Sequence, residues 1–139
     1  MAAKSIEETA KIETPRVAWL MGFAAWAVPG LGHVLQRRFV RALLLGGAVW
    51  AMFFIGFALG GHLYTVTDHG LGALVQLLPV SANAGTGLPY VACWLTNSGF
   101  AEQAQRVTYE YGTMFLLVAG LLNYLTALDA FDIAAGRKQ

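Results

Sequence analysis

Three long apolar runs, separated by short charged stretches and one mixed connection, set the reading of this chain. They are residues 17–35 (VAWLMGFAAWAVPGLGHVL), 42–64 (ALLLGGAVWAMFFIGFALGGHLY) and 109–131 (YEYGTMFLLVAGLLNYLTALDAF). Each approaches the roughly 20 apolar residues that a helix needs to cross a hydrocarbon core about 30 Å thick. The pattern predicts an all-α integral membrane fold with three transmembrane helices at about 17–35, 42–64 and 109–131. They form a single membrane domain over 17–138, behind a polar tail at 1–16.

Within the first run, Pro29 removes a backbone donor, and Gly30 and Gly32 loosen the helix further. In lipid such a break survives only where protein or water satisfies the backbone again. The first helix is therefore expected to be kinked at Pro29-Gly30 and packed on the second. A re-entrant hairpin bent at the same dipeptide is the rival reading, with the tail on the side of the arginines. Nineteen residues are long for a re-entrant segment, so three full spans are preferred. Ala25-Trp-Ala27 has the form of a leader-peptidase site. The long acidic leader, the short apolar core and Pro29 argue against cleavage, so the segment is expected to be retained.

The connection 65–108 is too long to be bare loop in a compact domain. Gly70–Leu78 and Pro89–Leu95 are short apolar pieces expected to be interfacial helices, and Ser81–Gly87 has turn chemistry. In the tail, Ser5–Glu8 has the form of a capping box, which predicts a short surface helix or an irregular tail.

Charge orients these elements. Arg37, Arg38 and Arg41 join the first two runs and Arg137 and Lys138 follow the third, whereas the long connection carries only Arg106. The positive-inside rule puts the Arg37–Arg41 loop and the C-terminus in the cytoplasm and residues 65–108 outside the cell. The expected location is a bacterial inner membrane. Composition agrees: 57% hydrophobic and 12% charged, with mean hydropathy +0.55, against about 25% charged residues in soluble domains. A net charge of +1 gives no field for nucleic acid, which is not an expected partner.

Candidate chemistry is sparse. There is no GxSxG and no phosphate-binding glycine loop followed by Lys-Ser/Thr, and Cys93, the sole cysteine, has no histidine at a recognisable spacing. Cys93 reads as a small apolar filler, and the protein as not an enzyme. His33 and His62 fall at opposite membrane faces, so they cannot share an ion, and His62 with His69 is short of a first-row metal set. No metal is expected. As single axial ligands His62 and His33 are the candidates for a pigment or haem. No cofactor is expected, with a pigment, haem or bound lipid as the alternative. Gly46, Gly56, Gly60 and Asn123 are the candidate helix contacts, Gly56 and Gly60 in small-xxx-small spacing and Asn123 as the polar residue in mid-helix. Asp129 and Asp132 share a face near the inner end of the third helix, where Arg37, Arg38 and Arg41 are candidate ion-pair partners.

The Pro29-Gly-Leu-Gly-His33 turn, the basic loop and Gly46-Gly47 resemble TM2-like membrane hairpins. That pattern commonly has an aspartate before the loop Arg-Phe, whereas this chain reads Gln36-Arg-Arg-Phe39. Glu110-Tyr-Gly-Thr-Met-Phe115, Ala119–Asn123, Leu128–Asp132 and Gly136-Arg137-Lys138 resemble the DUF6677 family of small bacterial membrane proteins. The resemblance covers 17–62 and 109–138, not the connection. It implies a membrane hairpin and a bacterial origin and carries no activity. The expected function is a small non-catalytic accessory or assembly subunit of a larger bacterial membrane complex. Its partners would be the lipid bilayer and other membrane subunits or further copies of itself. A pigment-, haem-, quinone- or lipid-binding subunit and a small channel or transporter component are the alternatives.

Overall fold

The structure is a computed structural model that describes residues 16–66 and 72–137, with the backbone alone at 73 and 74. The capping box at Ser5–Glu8, His69 and Lys138 lie outside those residues. Six helices follow in order: α1 at residues 16–27, α2 Leu31–Leu35, α3 Phe39–Ala58, α4 Ala73–Ala84, α5 Leu88–Thr96 and α6 Tyr109–Ala134. All regular structure among the described residues is helical.

Among the described residues two helices, α3 and α6, are long and apolar enough to cross a membrane. They run antiparallel. Arg41 and Leu45, early in α3, share a groove with Asp129 and Asp132, late in α6, while Gly56 meets Gly112 at the other end. A Cβ on Gly56 would fall 2.8 Å from the Gly112 carbonyl oxygen, and one on Gly112 2.7 Å from that of Gly56. Only the absence of side chains lets the two backbones approach so closely. Just 28% and 33% of their apolar windows are buried within the chain, so most of this apolar surface faces outward.

The first run departs from the expected kinked span. The Trp19 ring lies 5.0 Å from that of Phe131, and the Trp26 carbonyl accepts a 2.8 Å hydrogen bond from Asn123. Helix α1 thus runs back along α6 from Phe131 to Asn123, about 12 Å of helix. Gly30 then adopts φ +89°, a left-handed conformation that glycine reaches without steric penalty, and the chain reverses. A Cβ on Gly32 would fall 2.6 Å from Ala25 Cβ and 2.7 Å from the Met21 carbonyl oxygen, so α2 lies back against α1. His33 and Gln36 return to the level of Asp129 and Ala130. Residues 16–38 are therefore a helical hairpin with both ends at the C-terminal end of α6 and its tip near the middle. Proline and a left-handed glycine divide a run long enough to span into pieces too short to do so. The tip seats on α3, where a Cβ on Gly46 would fall 2.9 Å from both Gly30 Cα and the Pro29 carbonyl oxygen. At that seat α3 widens into a π-helical turn, Ala42–Gly46.

The second run forms a helix shifted toward the N-terminus of its expected range. Helix α3 starts at Phe39 and ends at Ala58, because Gly60 takes φ +81°. The N–H groups of Gly60 and Gly61 then cap the carbonyls of Phe57 and Gly56 at 3.0 and 2.9 Å, a Schellman closure. His62 and Tyr64 consequently lie beyond the helix. Arg37 (φ 58°) fills the same left-handed position after α2: its N–H reaches the Val34 carbonyl and that of Arg38 the His33 carbonyl, at 2.9 and 2.8 Å.

The connection holds two helices, as its apolar pieces suggest. Helix α4 continues to Ala84 through Pro79, with the Ser81 hydroxyl bonded back to the Leu78 carbonyl, so the turn shrinks to Gly85–Gly87. Helix α5 opens with Pro89 in its first turn, where no intrahelical donor is lost. The core gathers Val49, Phe53, Leu63, Cys93, Leu116 and Ala119 from α3, α5, α6 and the segment after α3.

Candidate functional site

Polar side chains inside an apolar bundle are expensive unless paired, and here they fall at three levels along α6. At its middle, Asn123 is wholly buried. Its Nδ2 donates to the Trp26 carbonyl in the last turn of α1 and to the Gly85 carbonyl just after α4, both at 2.8 Å. Two helix C-termini, each the negative end of its dipole, converge on one amide. A Cβ on Gly120 would collide with the Ala82 carbonyl oxygen, and one on Gly87 with that of Trp26. The tip of the α1–α2 hairpin, the α4–α5 turn and α6 are thus fastened at one point. Close by in sequence, buried Asn83 has no hydrogen-bond partner for either amide atom among the described residues.

At the C-terminal end of α6, the wholly buried His33 places Nε2 3.0 Å from Asp129 Oδ2. With Asp129 ionised, the carboxylate can only accept and His33 Nε2 is the donor. Gln36 Nε2 donates to the Ala130 carbonyl at 2.8 Å. On the other flank of α6, Arg41, Asp129 and Asp132 line an open groove of about 790 Å³ together with Leu44, Leu45, Leu122, Leu125 and the buried Thr126. Asp132 also lies 3.7 Å from the exposed guanidinium of Arg137.

At the N-terminal end of α6, the Thr113 hydroxyl accepts from the His62 N–H at 3.0 Å and donates to the Tyr109 carbonyl at 2.9 Å. The His62 ring stands edge-on to Tyr64, 4.9 Å away.

At the C-terminal end of α6 the expected ion-pair residues are arranged differently from the expectation. Asp129 takes His33 as its partner. Among the described residues neither Arg37 nor Arg38 pairs with an aspartate. Arg41 alone of the three joins the two acids, at the groove. His33 and His62 are buried, line none of the cavities described, and lie at opposite ends of the bundle. Gly46 and Gly56 make backbone contacts with Gly30 and Gly112. Gly60 lies past the end of α3 under Arg106 and Gln103, so it forms no helical stripe with Gly56. Gln36, Asn83 and Thr113 were not among the candidates. Their signal was a polar residue bordering or interrupting an apolar run, visible for Thr113 but masked by loop-like surroundings for the other two. Cys93 sits in the core, where burial raises its thiol above the usual range, which suits an apolar filler.

These features define a small all-helical protein with two helices of membrane-spanning length and an internal helical hairpin fastened by buried polar groups. The chain belongs to DUF6677, a family of unknown function, which it matches over residues 20–139. The match runs through the long connection as well as the two parts that carry the resemblance. No curated protein and no solved structure matches the chain.

Proposed function

We propose that this protein is an integral membrane protein of the bacterial cytoplasmic membrane, acting as a non-catalytic subunit that assembles with other membrane chains. Helices α3 and α6 span, and the α1–α2 hairpin enters and leaves on the cytoplasmic side. The observation that carries this reading is the division of labour among side chains. His33, Asn123 and Thr113 hold helix to helix, while large apolar groups point outward: Trp19 is 70% exposed, Phe23 65% and Leu43 75%. That is the inverse of a soluble domain and suits lipid or protein neighbours. Topology supports it too. Arg16, Arg37, Arg38, Arg41 and Arg137 fall at one end of the bundle and Arg106 at the other, as the positive-inside rule asks. The imidazole geometry favours architecture over axial ligation, since His33 already engages Asp129.

The test is purification at native abundance in a mild detergent, with mass spectrometry of co-purifying chains. A membrane partner present in stoichiometric amount is the expected result. A chain isolated alone, with no cross-linked neighbour in intact membranes, would overturn the subunit reading. Thiol labelling of single cysteines placed at 37 and 137 in sealed vesicles is expected to give the same sidedness.

A further inference from the structure

We infer that the groove between the start of α3 and the end of α6 is a binding site for a phospholipid whose headgroup carries a primary ammonium, as in phosphatidylethanolamine. Its polarity is graded along its length. Arg41, Asp129 and Asp132 sit at the end of the bundle, and Leu44, Leu125 and Leu122 lie progressively farther along the helices from it. From Asp132 to Leu122 is about 15 Å of helix, half of a ~30 Å hydrocarbon core and so the depth of one leaflet. A phospholipid has this same gradient, charged at the surface and hydrocarbon below, and the groove of about 790 Å³ accepts a headgroup with the upper part of an acyl chain.

The charges choose among headgroups. One guanidinium beside two carboxylates fits a ligand with an anion next to a cation. The Arg41 fork suits a phosphodiester. Asp132 is the more loosely held acid, its contact with Arg137 being long and exposed, and it accepts from the ammonium. Asp129 adds negative charge while holding His33. Phosphatidylglycerol would bring the same phosphodiester anion toward the two acids without a cation to offset it. Phosphatidylcholine has no N–H to donate.

The inference rests on the membrane placement proposed above, and the experiment separates the two. An alkaline wash of membranes tests placement: release of the chain would overturn both readings, and retention supports the placement. The purified full-length protein is then equilibrated with vesicles of dioleoyl phosphatidylethanolamine, phosphatidylglycerol and phosphatidylcholine in equal parts, and retained lipid is read by native mass spectrometry. The expected result is one phosphatidylethanolamine per chain, favoured about tenfold, as one charge-assisted hydrogen bond warrants. Arg41→Gln and Asp132→Asn should each abolish that preference, and Asp132→Asn, whose contact with Arg137 is long and exposed, should do so without shifting the melting temperature in lipid-free detergent. Asp132→Lys should turn the preference toward phosphatidylglycerol. Equal retention of the three lipids by the parent chain would overturn the site, as would a preference indifferent to both Arg41→Gln and Asp132→Asn.

Discussion

Asn123→Leu is the sharpest test of the architecture. The substitution keeps the branching at Cγ but replaces the amide with a larger apolar group and removes the Nδ2 donor that reaches Trp26 and Gly85 at 2.8 Å each. Hydrogen bonds between membrane helices average only about 0.6 kcal/mol, with a ceiling near 2. By that scale alone, two bonds contribute roughly 1–2 kcal/mol. The stranded carbonyls add to this, since a buried acceptor left unsatisfied costs about 1–3 kcal/mol. A loss of about 2–4 kcal/mol is therefore expected. Unfolding in mixed micelles of increasing dodecyl sulfate would measure it, and limited proteolysis should show new cleavage near 26–30 as the hairpin tip loosens. Asn123→Asp separates donor loss from shape. As a neutral acid it has one O–H and can satisfy one carbonyl, so near pH 4 the loss should be about half that of the leucine variant. An Asn123→Leu protein within about 0.5 kcal/mol of the parent, the scatter of ordinary surface substitutions, would refute the three-way fastening.

Three other perturbations test neighbouring parts of the argument. Gly120→Ala places a methyl on the Ala82 carbonyl and should destabilise by about 1–3 kcal/mol, as overpacking does. Gly47→Ala, with nothing within 4 Å of the added carbon, should be neutral or stabilise by up to ~1 kcal/mol; melting temperatures in one detergent compare the two. Arg37→Gly relieves a left-handed non-glycine and should stabilise by about 1 kcal/mol, whereas Arg37→Val should do the reverse, both by the same melt. A double-mutant cycle on His33→Gln and Asp129→Asn should return a coupling of about 1–3 kcal/mol, the range for hydrogen bonds to charged groups. The same cycle on Arg38 and Asp129 should return nothing beyond ~0.5 kcal/mol.

What the sequence could and could not say divides along physical lines. Helix type was legible because apolar run length reports it directly, and α6 falls almost on its expected range. The end of α3 was misjudged because hydropathy continues through Gly60-Gly61 to Tyr64 while the backbone does not. The left-handed φ that closes a helix is signalled by glycine pairs, not by polarity. The first run shows the same conflict at larger scale. Its nineteen residues argued by length for a span, and Pro29-Gly30 argued for a reversal. The deciding quantity is where the broken backbone finds its partners. A kinked span would have to satisfy it locally within lipid, whereas the hairpin places the Trp26 carbonyl on Asn123 and seats Gly30 against Gly46. Asn123, the polar residue in mid-helix, donates to two carbonyls outside α6. Its partners are the ends of two half-length helices, which no periodicity in the sequence could pair because they lie 59 residues apart, at Trp26 and Gly85. The same long range hid the inner pair. Arginines were the natural match for Asp129 by charge, and Arg41 does share its groove, but the side chain 3.0 Å from the carboxylate is a histidine 96 residues distant. Charge ranks the candidate partners by attraction. The chain reversal at Gly30, which lays α2 back against α1, decides that His33 arrives.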